Sequence, residues 1–385
     1  MKKICVTTSS RADFSRVETI LRELKKRFPK DFHLLVLGSH LLGIAGNTKA
    51  EIENKGFTVD HALYMEVAGN NPETMSKSVG LAIVQASTLF DRLKPDIVLV
   101  HGDRFESLAI GITAALMNIH VAHVQGGEVT GSIDESIRHA LTKLSHLHFV
   151  ATEKSRERVI KMGEDPTAVF NIGCPGTDLL INAPALTRNK TIDRLNKEVI
   201  KTAQKLDRRT PYILMVQHPV TTEFEDARRQ IIESIEAVSV FNEQILILWP
   251  NIDAGADEIS KILRTHPLLQ KKRVGVFKHI PSEIFVNVLR NAACFIGNSS
   301  SGIRESCYFG TPTINIGSRQ NTRERGSNVV DVGYDRKEIA RAIKKQIAHG
   351  KYPVEHIYGD GTAGKQFADI CATINLPNIQ KRIAY

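Results

Sequence analysis

The fold is decided by residues 96–124, which read DIVLVHGDRFESLAIGITAALMNIHVAHV. Two short apolar runs, at residues 96–101 and 120–124, flank a segment of helical length at residues 105–117. Both runs are unbroken rather than alternating, which is typical of parallel strands buried on both faces. Strand, helix and strand in this order predict one βαβ unit of a doubly wound sheet.

The same alternation extends over the first half of the chain. Further strands are predicted at residues 3–7, 33–38 and 147–151, and helices at residues 14–27 and 73–93. The pattern pauses in the polar stretch 182–205, which predicts a linker and a surface helix.

The alternation then restarts in the second half. Strands are predicted at residues 212–216, 245–249, 273–277, 294–296 and 313–316, and helices at residues 223–240, 258–265, 282–290, 336–348 and 366–374. We therefore predict an α/β chain of two Rossmann-like, doubly wound domains at residues 1–180 and 181–365. A C-terminal helix within residues 366–385 is expected to pack back on the first domain.

Length and composition fit this organisation. The chain has 385 residues, which suits two domains, and its 42% hydrophobic and 24% charged residues exclude a disordered or fibrous class. No apolar run approaches the roughly 18 residues that a membrane span needs. The first apolar run is cut off at Ser9, too early for a secretory segment, so we expect a cytoplasmic protein without a membrane partner.

The charge balance indicates an anionic partner. Lys and Arg number 51 and Asp and Glu number 42, which gives a net charge of +9. Aromatic residues are only 6%, which leaves few surfaces for stacking nucleic-acid bases. A phosphorylated small molecule is therefore expected, and not nucleic acid. The five cysteines are widely spaced, which argues against a disulfide framework or a zinc site.

Polar side chains follow the predicted strands, where ligands bind in open parallel sheets. After the first strand, Ser9 and Ser10 form a small-residue turn, and Arg11 could contact a phosphate. The alternative is that Arg11 is solvated and Asp13 caps the following helix.

Acidic residues crowd two adjacent strand ends in the first half. The acidic and basic side chains there are Asp103, Glu128, Asp134, Glu135, Arg104 and Arg138. Carboxylates in one site can hold different pKa values and serve as acid and base. The alternative is that Asp134 and Glu135 only form the acidic first turn of a helix.

The second half carries a turn of small residues, GNSSSG, at residues 297–302. Such a strand–helix turn suits a diphosphate, and Glu305 could bind a ribose diol. His218 and Arg319 follow other strands of this half. The alternative is that residues 298–301 are only caps and turn formers.

Motifs along nearly the whole chain carry a family resemblance. They are SRADFSR (10–16), HGDRFESLA (101–109), GGEVTGSIDESIRHA (126–140), VQHPVTT (216–222), PNIDAG (250–255), IGNSSSGIRE (296–305) and INIGSRQ (314–320). In this order they resemble the hydrolysing UDP-N-acetylglucosamine 2-epimerases of sialic acid synthesis. The resemblance implies a glycosyltransferase-B-type fold, in which two Rossmann-like domains face a cleft, and a homodimer or homotetramer.

The reaction that the resemblance implies releases UDP from UDP-N-acetylglucosamine and inverts C2, which gives N-acetylmannosamine. It passes through a 2-acetamidoglucal and needs no metal or other cofactor. The implied catalytic residues are Asp103, Gln125, Glu128, Asp134 and His218. The implied substrate-binding residues are Arg11, Ser15, Arg104, Arg138, Asn251, Ile280, Ser299, Ser300, Glu305 and Arg319.

One position departs from the family. Many relatives carry a glutamate where this chain has Gln125, and a glutamine exchanges no proton near neutral pH. Either Glu128 or Asp134 takes that role, or Gln125 is a replacement that leaves a site able to bind a UDP-sugar without turnover. Two further alternatives are an epimerase of a 2,4-diacetamido-trideoxy UDP-sugar, as in legionaminic acid synthesis, and a non-hydrolysing epimerase.

Overall fold

The computed structural model describes residues 2–42, 48–68, 71–129, 133–199, 205–250, 256–278 and 280–384. The chain divides into two units. The first unit comprises Met1–Ile181 and Tyr358–Tyr385, and the second comprises Asn182–Ile357. The second unit therefore ends before the expected boundary at residue 365. Each unit is built on a parallel sheet, so the predicted α/β class with two Rossmann-like units is confirmed.

The sheet of the first unit has seven strands in the order β3-β2-β1-β4-β5-β6-β7. The strands are β1 (Ile4–Thr8), β2 (Phe32–Leu37), β3 (His61–Leu63), β4 (Ile97–His101), β5 (His120–Val124), β6 (Leu147–Val150) and β7 (Val169–Asn171). The helices between them are α1 (Arg11–Arg27), α2 (Thr48–Asn54), α3 (Pro72–Leu93), α4 (Phe105–Leu116), α5 (Ile133–Leu144), α6 (Glu153–Lys161) and α7 (Pro175–Ile181). All neighbouring strands pair in parallel.

The first helix shows how the sequence sets an element that positions the site. Ser10 is the N-cap of α1 and accepts a hydrogen bond of 3.2 Å from the backbone N–H of Asp13. Because of this cap, α1 begins at Arg11, three residues before the predicted start. Apolar residues one helical turn apart, including Val17 and Leu21, bury one face of α1 in the core of the first unit.

The sheet of the second unit has six strands in the order β10-β9-β8-β11-β12-β13. The strands are β8 (Tyr212–Val216), β9 (Gln244–Leu248), β10 (Val274–Phe277), β11 (Cys294–Gly297), β12 (Thr313–Ile316) and β13 (Val329–Val332). The helices are α8 (Arg188–Arg194), α9 (Ala227–Ser239), α10 (Ala256–Thr265), α11 (Ser282–Asn291), α12 (Ser301–Arg304) and α13 (Arg336–His349). This order repeats that of strands β1–β6 in the first sheet, and β7 has no counterpart in the second sheet.

The helix α8 lies at the surface of the second unit and buries one face. It continues into a π-helical turn at Leu195–Val199, and Ile192 and Leu195 are fully buried in the core of the second unit beside Tyr212. The segment has few apolar residues, but those few lie on one face of the helix and are enough to dock it. The prediction of a surface helix in this stretch is confirmed, because Asn189, Lys190 and Asp193 are exposed on the outer side of α8.

The last helix, α14 (Ala363–Thr373), belongs to the first unit and packs on α1. The buried carboxylate of Asp178 accepts hydrogen bonds from the backbone N–H groups of Ala363, at 3.1 Å, and Gly364, at 2.8 Å. Two of the orphan donors at the start of α14 are thereby satisfied. Among the described residues, every helix is too short or too polar to cross a bilayer.

Candidate active site

The first candidate region is the edge of the first sheet where β1, β4 and β5 end. These strands are neighbours in the sheet and run in parallel, so the residues that follow them lie along one edge. Gln125 adopts a left-handed backbone with φ of 67° directly after β5. Non-glycine residues rarely adopt this conformation, and it recurs where surrounding structure holds a side chain for function.

Asp103 and Arg138, both predicted site residues, are joined at this edge. The guanidinium of Arg138, in α5, donates to Asp103 Oδ2 and also, at 2.6 Å, to the backbone carbonyl of Glu128. The Arg138 side chain is 2% exposed, whereas that of Asp103 is 31% exposed. A buried cation thus fixes a carboxylate that still reaches the surface of the unit.

Arg104 is held by a residue that the sequence did not single out. Its guanidinium donates three hydrogen bonds to the carboxylate of Glu106, at 2.8, 3.0 and 3.2 Å. Glu106 is fully buried, and this burial raises the pKa of its carboxyl group although Arg104 opposes the shift. The sequence could have indicated Glu106 as a partner of Arg104, because it follows Arg104 by two residues within the same strand-end motif.

A second unpredicted group is the pair of Asp13 and His101. The Nδ1 atom of His101 lies 2.6 Å from Asp13 Oδ1, and both side chains are less than a tenth exposed. Burial alone would raise the pKa of Asp13. The hydrogen bond and charge of His101, together with the Ser9 N–H at 2.8 Å, outweigh that effect and lower it.

Gln125 completes this group. Its side-chain oxygen lies 3.0 Å from Nη1 of Arg16 and 3.1 Å from Nε2 of His101, and its amide nitrogen lies 2.6 Å from the sulfur of Cys174. The sequence had placed Gln125 in the site, but nothing in the pattern singled out its partners Arg16 and Cys174. They lie in α1 and just before α7, far apart in the chain.

Three further predicted residues belong to the first unit, and two of them interact with Arg104 or Arg138. Asp134 is exposed in the first turn of α5 and acts electrostatically on Arg104. Glu128 is half-buried, and Ser15 is exposed on α1. The side chain of Arg11 lies outside the described part of the structure.

In the second unit, Asn298 joins three strand ends. Its fully buried side-chain amide accepts a hydrogen bond of 2.7 Å from the backbone N–H of His218. The same amide donates a hydrogen bond of 2.8 Å to the backbone carbonyl of His218. The backbone carbonyl of Asn298 accepts hydrogen bonds from the side chains of Arg319, at 3.1 Å, and Gln320, at 2.9 Å. The ends of β8, β11 and β12 are thus tied together by one asparagine.

The predicted residues His218 and Arg319 therefore come together at this edge of the second sheet. Burial lowers the pKa of His218 to about 4, and the charge of Arg319 adds to the effect. His218 is consequently neutral at physiological pH. A neutral imidazole can accept or donate one hydrogen bond next to a permanent cation.

The turn after β11 presents the other predicted residues of the second unit. Ser299 and Ser300 lie directly before α12, and Glu305 follows its last residue. Ile280, predicted as a substrate contact, is buried in the core of this unit. Asn251 lies outside the described residues.

Glu223 supports the strand end beside Arg319. The sequence did not mark Glu223 as a site residue. Its carboxylate accepts hydrogen bonds from Ser318, from Tyr334 and, at 2.8 Å, from Gln230. Burial and then the charge of Glu223 raise the pKa of Tyr334. Gly317 has a φ of 74°, and a Cβ there would lie 2.1 Å from the Tyr334 hydroxyl oxygen, so only glycine fits this close approach.

The two edges differ in the chemistry that they can support. The first offers paired carboxylates and cations, suited to moving a proton. The second offers hydroxyl, amide and imidazole groups beside Arg319, suited to a phosphate and hydroxyl groups. Among the residues described, no three His, Cys, Asp or Glu side chains are grouped as a metal would need.

The chain matches a known protein family in sequence over most of its length. A sequence model of the family described as UDP-N-acetylglucosamine 2-epimerase matches residues 22–372. The chain is 34% identical to the UDP-N,N'-diacetylbacillosamine 2-epimerase (hydrolyzing) of Legionella pneumophila, over 98% of this chain and 97% of that protein. It is 32% identical to the UDP-N-acetylglucosamine 2-epimerase of Neisseria meningitidis, over 96% and 95% of the two chains.

Comparison with solved structures supports the fold. The UDP-GlcNAc 2-epimerase of Methanocaldococcus jannaschii, solved in complex with UDP-GlcNAc and UDP, superposes with a TM-score of 0.74. The alignment covers 96% of this chain and 99% of that one, at 18% identity. At that identity the likeness concerns the fold alone.

Proposed function

This chain belongs to the UDP-N-acetylglucosamine 2-epimerase family, and we propose that it converts UDP-N-acetylglucosamine and water to UDP and N-acetylmannosamine, for sialic acid synthesis. The observation that carries the proposal is the carboxylate of Asp103, which buried Arg138 fixes while leaving it partly exposed. A positioned carboxylate is what removal of a weakly acidic carbon-bound proton requires.

The reaction proceeds in two stages. In the first, a carboxylate removes the proton from C2, the C1–O bond breaks, and its electron pair leaves with UDP, so that a 2-acetamidoglucal forms. In the second, water adds its hydroxyl group at C1 and a proton returns to the opposite face of C2. Atoms and charge balance without a redox step.

The residues of the first unit take the proton-transfer roles. Asp103 is the group that exchanges a proton with C2, and Glu128 or Asp134 supplies the group for the opposite face. Arg104 and Arg11 bind the diphosphate, where positive charge stabilises the departing UDP. Arg138 orients Asp103.

The residues of the second unit bind the nucleotide. Ser299 and Ser300 present hydroxyl and backbone N–H groups to the diphosphate, Glu305 binds the ribose, and Arg319 adds a charged donor beside neutral His218. This assignment is supported by the hydrogen bonds of Asn298, which bring His218, Arg319 and the serine turn to one edge.

A second substrate is favoured by one comparison. The relative from Legionella pneumophila, at 34% identity, is named for UDP-N,N'-diacetylbacillosamine. That sugar carries a second acetamido group, at C4. The C2 chemistry is the same for both sugars, so the residues proposed for proton transfer would serve either.

The test is one incubation with each UDP-sugar in deuterium oxide, followed by mass spectrometry and NMR of the products. We expect free UDP and N-acetylmannosamine with deuterium at C2. Release of UDP only from the diacetamido sugar would assign the second substrate. UDP-N-acetylmannosamine would indicate a non-hydrolysing enzyme, and UDP-sugar binding without turnover would contradict the proposal.

A further inference from the structure

The backbone turn that carries Asp103 is held by a side chain that the proposed function leaves unused. Gly102 lies directly before Asp103 and has a left-handed backbone with φ of 70°. Its N–H donates a hydrogen bond of 2.9 Å to the carbonyl of Val124, and its carbonyl lies 2.8 Å from Nε2 of His123. That carbonyl belongs to the peptide that joins Gly102 to Asp103. His123 therefore contacts the peptide through which the backbone enters Asp103.

These contacts fix the position of the hydrogen on the His123 ring. The side chain is fully buried, and this burial lowers its pKa to about 3 although its hydrogen bond to Gly102 opposes the shift, so the ring is neutral at physiological pH. A neutral imidazole carries one hydrogen, and the carbonyl of Gly102 can only accept, so this hydrogen is on Nε2. The Nδ1 atom is then an acceptor, and the hydroxyl oxygen of Thr142 lies 3.3 Å from it.

Thr142 connects His123 to the side-chain partner of Asp103. Its hydroxyl oxygen also lies 3.0 Å from the backbone carbonyl of Arg138, one turn earlier in α5, and Arg138 donates to Asp103 Oδ2. The contacts thus form a closed ring, which runs from Asp103 through Arg138, Thr142, His123 and Gly102 back to Asp103. Asp103 is partly exposed, and the other four residues are buried. The ring holds Asp103 through its backbone and through its carboxylate at once.

A glycine provides the space for the contact between His123 and Thr142. A Cβ at Gly126 would lie 3.1 Å from both His123 Nδ1 and Thr142 Oγ1, which is closer than ordinary van der Waals contact. In a close-packed interior, a larger residue at this position would press on both atoms.

We propose that His123 and Thr142 are positioning residues of the epimerase, which hold the peptide before Asp103 and the arginine that binds its carboxylate, so that this carboxylate keeps one position for proton transfer. Neither side chain exchanges a proton in the reaction. A carboxylate that is fixed beforehand avoids reorganisation during the reaction, and a misplacement of about 1 Å can cost roughly 100-fold in rate. The inference rests on the proposed function and deepens the role of Asp103.

The first test is independent of activity. Nitrogen-15 NMR of protein labelled at histidine distinguishes the two neutral tautomers from the imidazolium, and the signal that is lost in His123→Gln identifies His123 among the 14 histidines. We expect a neutral ring with its hydrogen on Nε2 at neutral pH. Thr142→Val should shift the Nδ1 signal and leave the Nε2 signal nearly unchanged, because only the Nδ1 contact is lost. A hydrogen on Nδ1, or on both nitrogens, would overturn the proposal.

The second test asks whether the donor at His123 matters for the rate. His123→Leu removes the donor and should lower kcat by about 10- to 100-fold, with the KM of the UDP-sugar and the Kd of UDP within about threefold. His123→Gln keeps an N–H group that can reach the carbonyl of Gly102, so it should recover most of kcat. Thr142→Val should lower kcat by about 3- to 10-fold, because one hydrogen bond of the ring is lost. Equal losses of kcat in His123→Leu and His123→Gln would show that the donor has no role, and would overturn the proposal.

The matched control for His123 is His146, a buried neutral histidine at the opposite edge of the same sheet. Its Nδ1 accepts a hydrogen bond of 3.1 Å from the N–H of Val121, and its Nε2 lies 3.0 Å from the carbonyl of Ile379. His146→Leu should lower the melting temperature and leave kcat unchanged. A loss of kcat equal to that of His123→Leu would reduce the effect to stability and overturn the proposal.

The matched control for Thr142 is Thr113, a buried threonine of α4 whose hydroxyl donates 2.8 Å to the carbonyl of Ala109, one turn earlier. Thr113→Val should keep the kcat of the parent protein. If His123→Leu does not fold, Thr142→Val beside Thr113→Val makes the same comparison, and equal kcat values in these two variants would overturn the proposal. If the parent protein turns over neither UDP-sugar, the proposed function fails, and the NMR result still decides whether His123 donates to the peptide before Asp103.

Discussion

The strand-end edges of the two units are built from different chemistry on the same fold. In the first unit the side chains form charged pairs, such as Asp103 with Arg138 and Arg104 with buried Glu106. In the second unit a neutral amide, Asn298, ties the strand ends together through backbone groups, with Arg319 as the charged partner. The parallel sheet provides the edge, and the residues that follow each strand decide what the edge can do.

The difference has an energetic side. Removing one member of a buried charge pair leaves an uncompensated charge, so such changes act on chemistry and on stability together. Removing the neutral side chain of Asn298 leaves backbone groups unpaired and lowers mainly the free energy of unfolding. Variants at the two edges should therefore fail in different ways, which makes the comparison testable.

The largest effect is expected for Asp103→Asn in the first unit. The amide keeps the shape of the side chain and cannot take a proton, so kcat should fall by roughly 10²- to 10⁴-fold. Steady-state kinetics with UDP-N-acetylglucosamine measure it. Asp60→Asn is the control, because Asp60 bonds to the backbone N–H of Leu34 in the same unit at 2.8 Å. Full activity of Asp103→Asn would remove proton transfer from this edge.

The next effect is expected for Asn298→Ala in the second unit. The change leaves the buried N–H and carbonyl of His218 without their partners, which should lower the free energy of unfolding by about 2–4 kcal/mol. Chemical denaturation measures the change. UDP binding should weaken as well, because the arrangement of His218 and Arg319 depends on Asn298.

Asn196 provides a matched control for this prediction. Its side-chain amide accepts a hydrogen bond from the backbone N–H of Leu206 and donates one to the backbone carbonyl of Leu206, both at 2.9 Å, within the second unit. Asn196→Ala should lower the free energy of unfolding without changing the Kd of UDP. Equal losses of UDP affinity in Asn298→Ala and Asn196→Ala would mean that the hydrogen bonds of Asn298 do not specifically support nucleotide binding.

The smallest effect for a single residue concerns acid, and it involves histidines of both units. Burial lowers the pKa of His123 to about 3 and those of His146 and His218 to about 4. As pH falls below 6.5, these histidines take up protons in the unfolded chain before they do so in the folded one. The free energy of unfolding therefore falls between pH 6.5 and pH 4, by on the order of 1–3 kcal/mol for each histidine.

Thermal melts across this pH range measure the loss. His218→Gln should flatten the pH dependence of the second unit and leave that of the first, to which His123 and His146 belong. A melting temperature that stays constant from pH 6.5 to pH 4 would contradict the assignment of neutral buried histidines.

The long elements were predictable from the sequence because their patterns are strong. The strands β5, β8 and β12 have the bounds that their apolar runs indicate, and α3 differs from its prediction by one residue at its start. The strands β3, β7 and β13 were missed. Each lies at an edge of its sheet and has at most one buried residue, so no unbroken apolar run marks it, whereas all four residues of β12 are buried.

The site was predictable in its strand-end motifs and not in its supporting contacts. Asp103 and Arg138 were found because they follow or neighbour strands, and the structure pairs them. The partners of Gln125 come from α1 and from the segment before α7, 109 and 49 residues away. Contacts at that separation depend on how helices pack on the sheet, which a local pattern does not contain.

We assign proton transfer to Asp103 at the first edge and a main contact with the diphosphate of the nucleotide to Arg319 at the second edge. The most direct test is the Kd of UDP, measured by isothermal titration calorimetry for Asp103→Asn and Arg319→Gln beside the parent protein. We predict that Asp103→Asn binds UDP within about threefold of the parent and that Arg319→Gln binds it about tenfold or more weakly, because a charged donor to the diphosphate is lost. An Asp103→Asn variant that weakens UDP binding as much as Arg319→Gln does would contradict the division between the two edges.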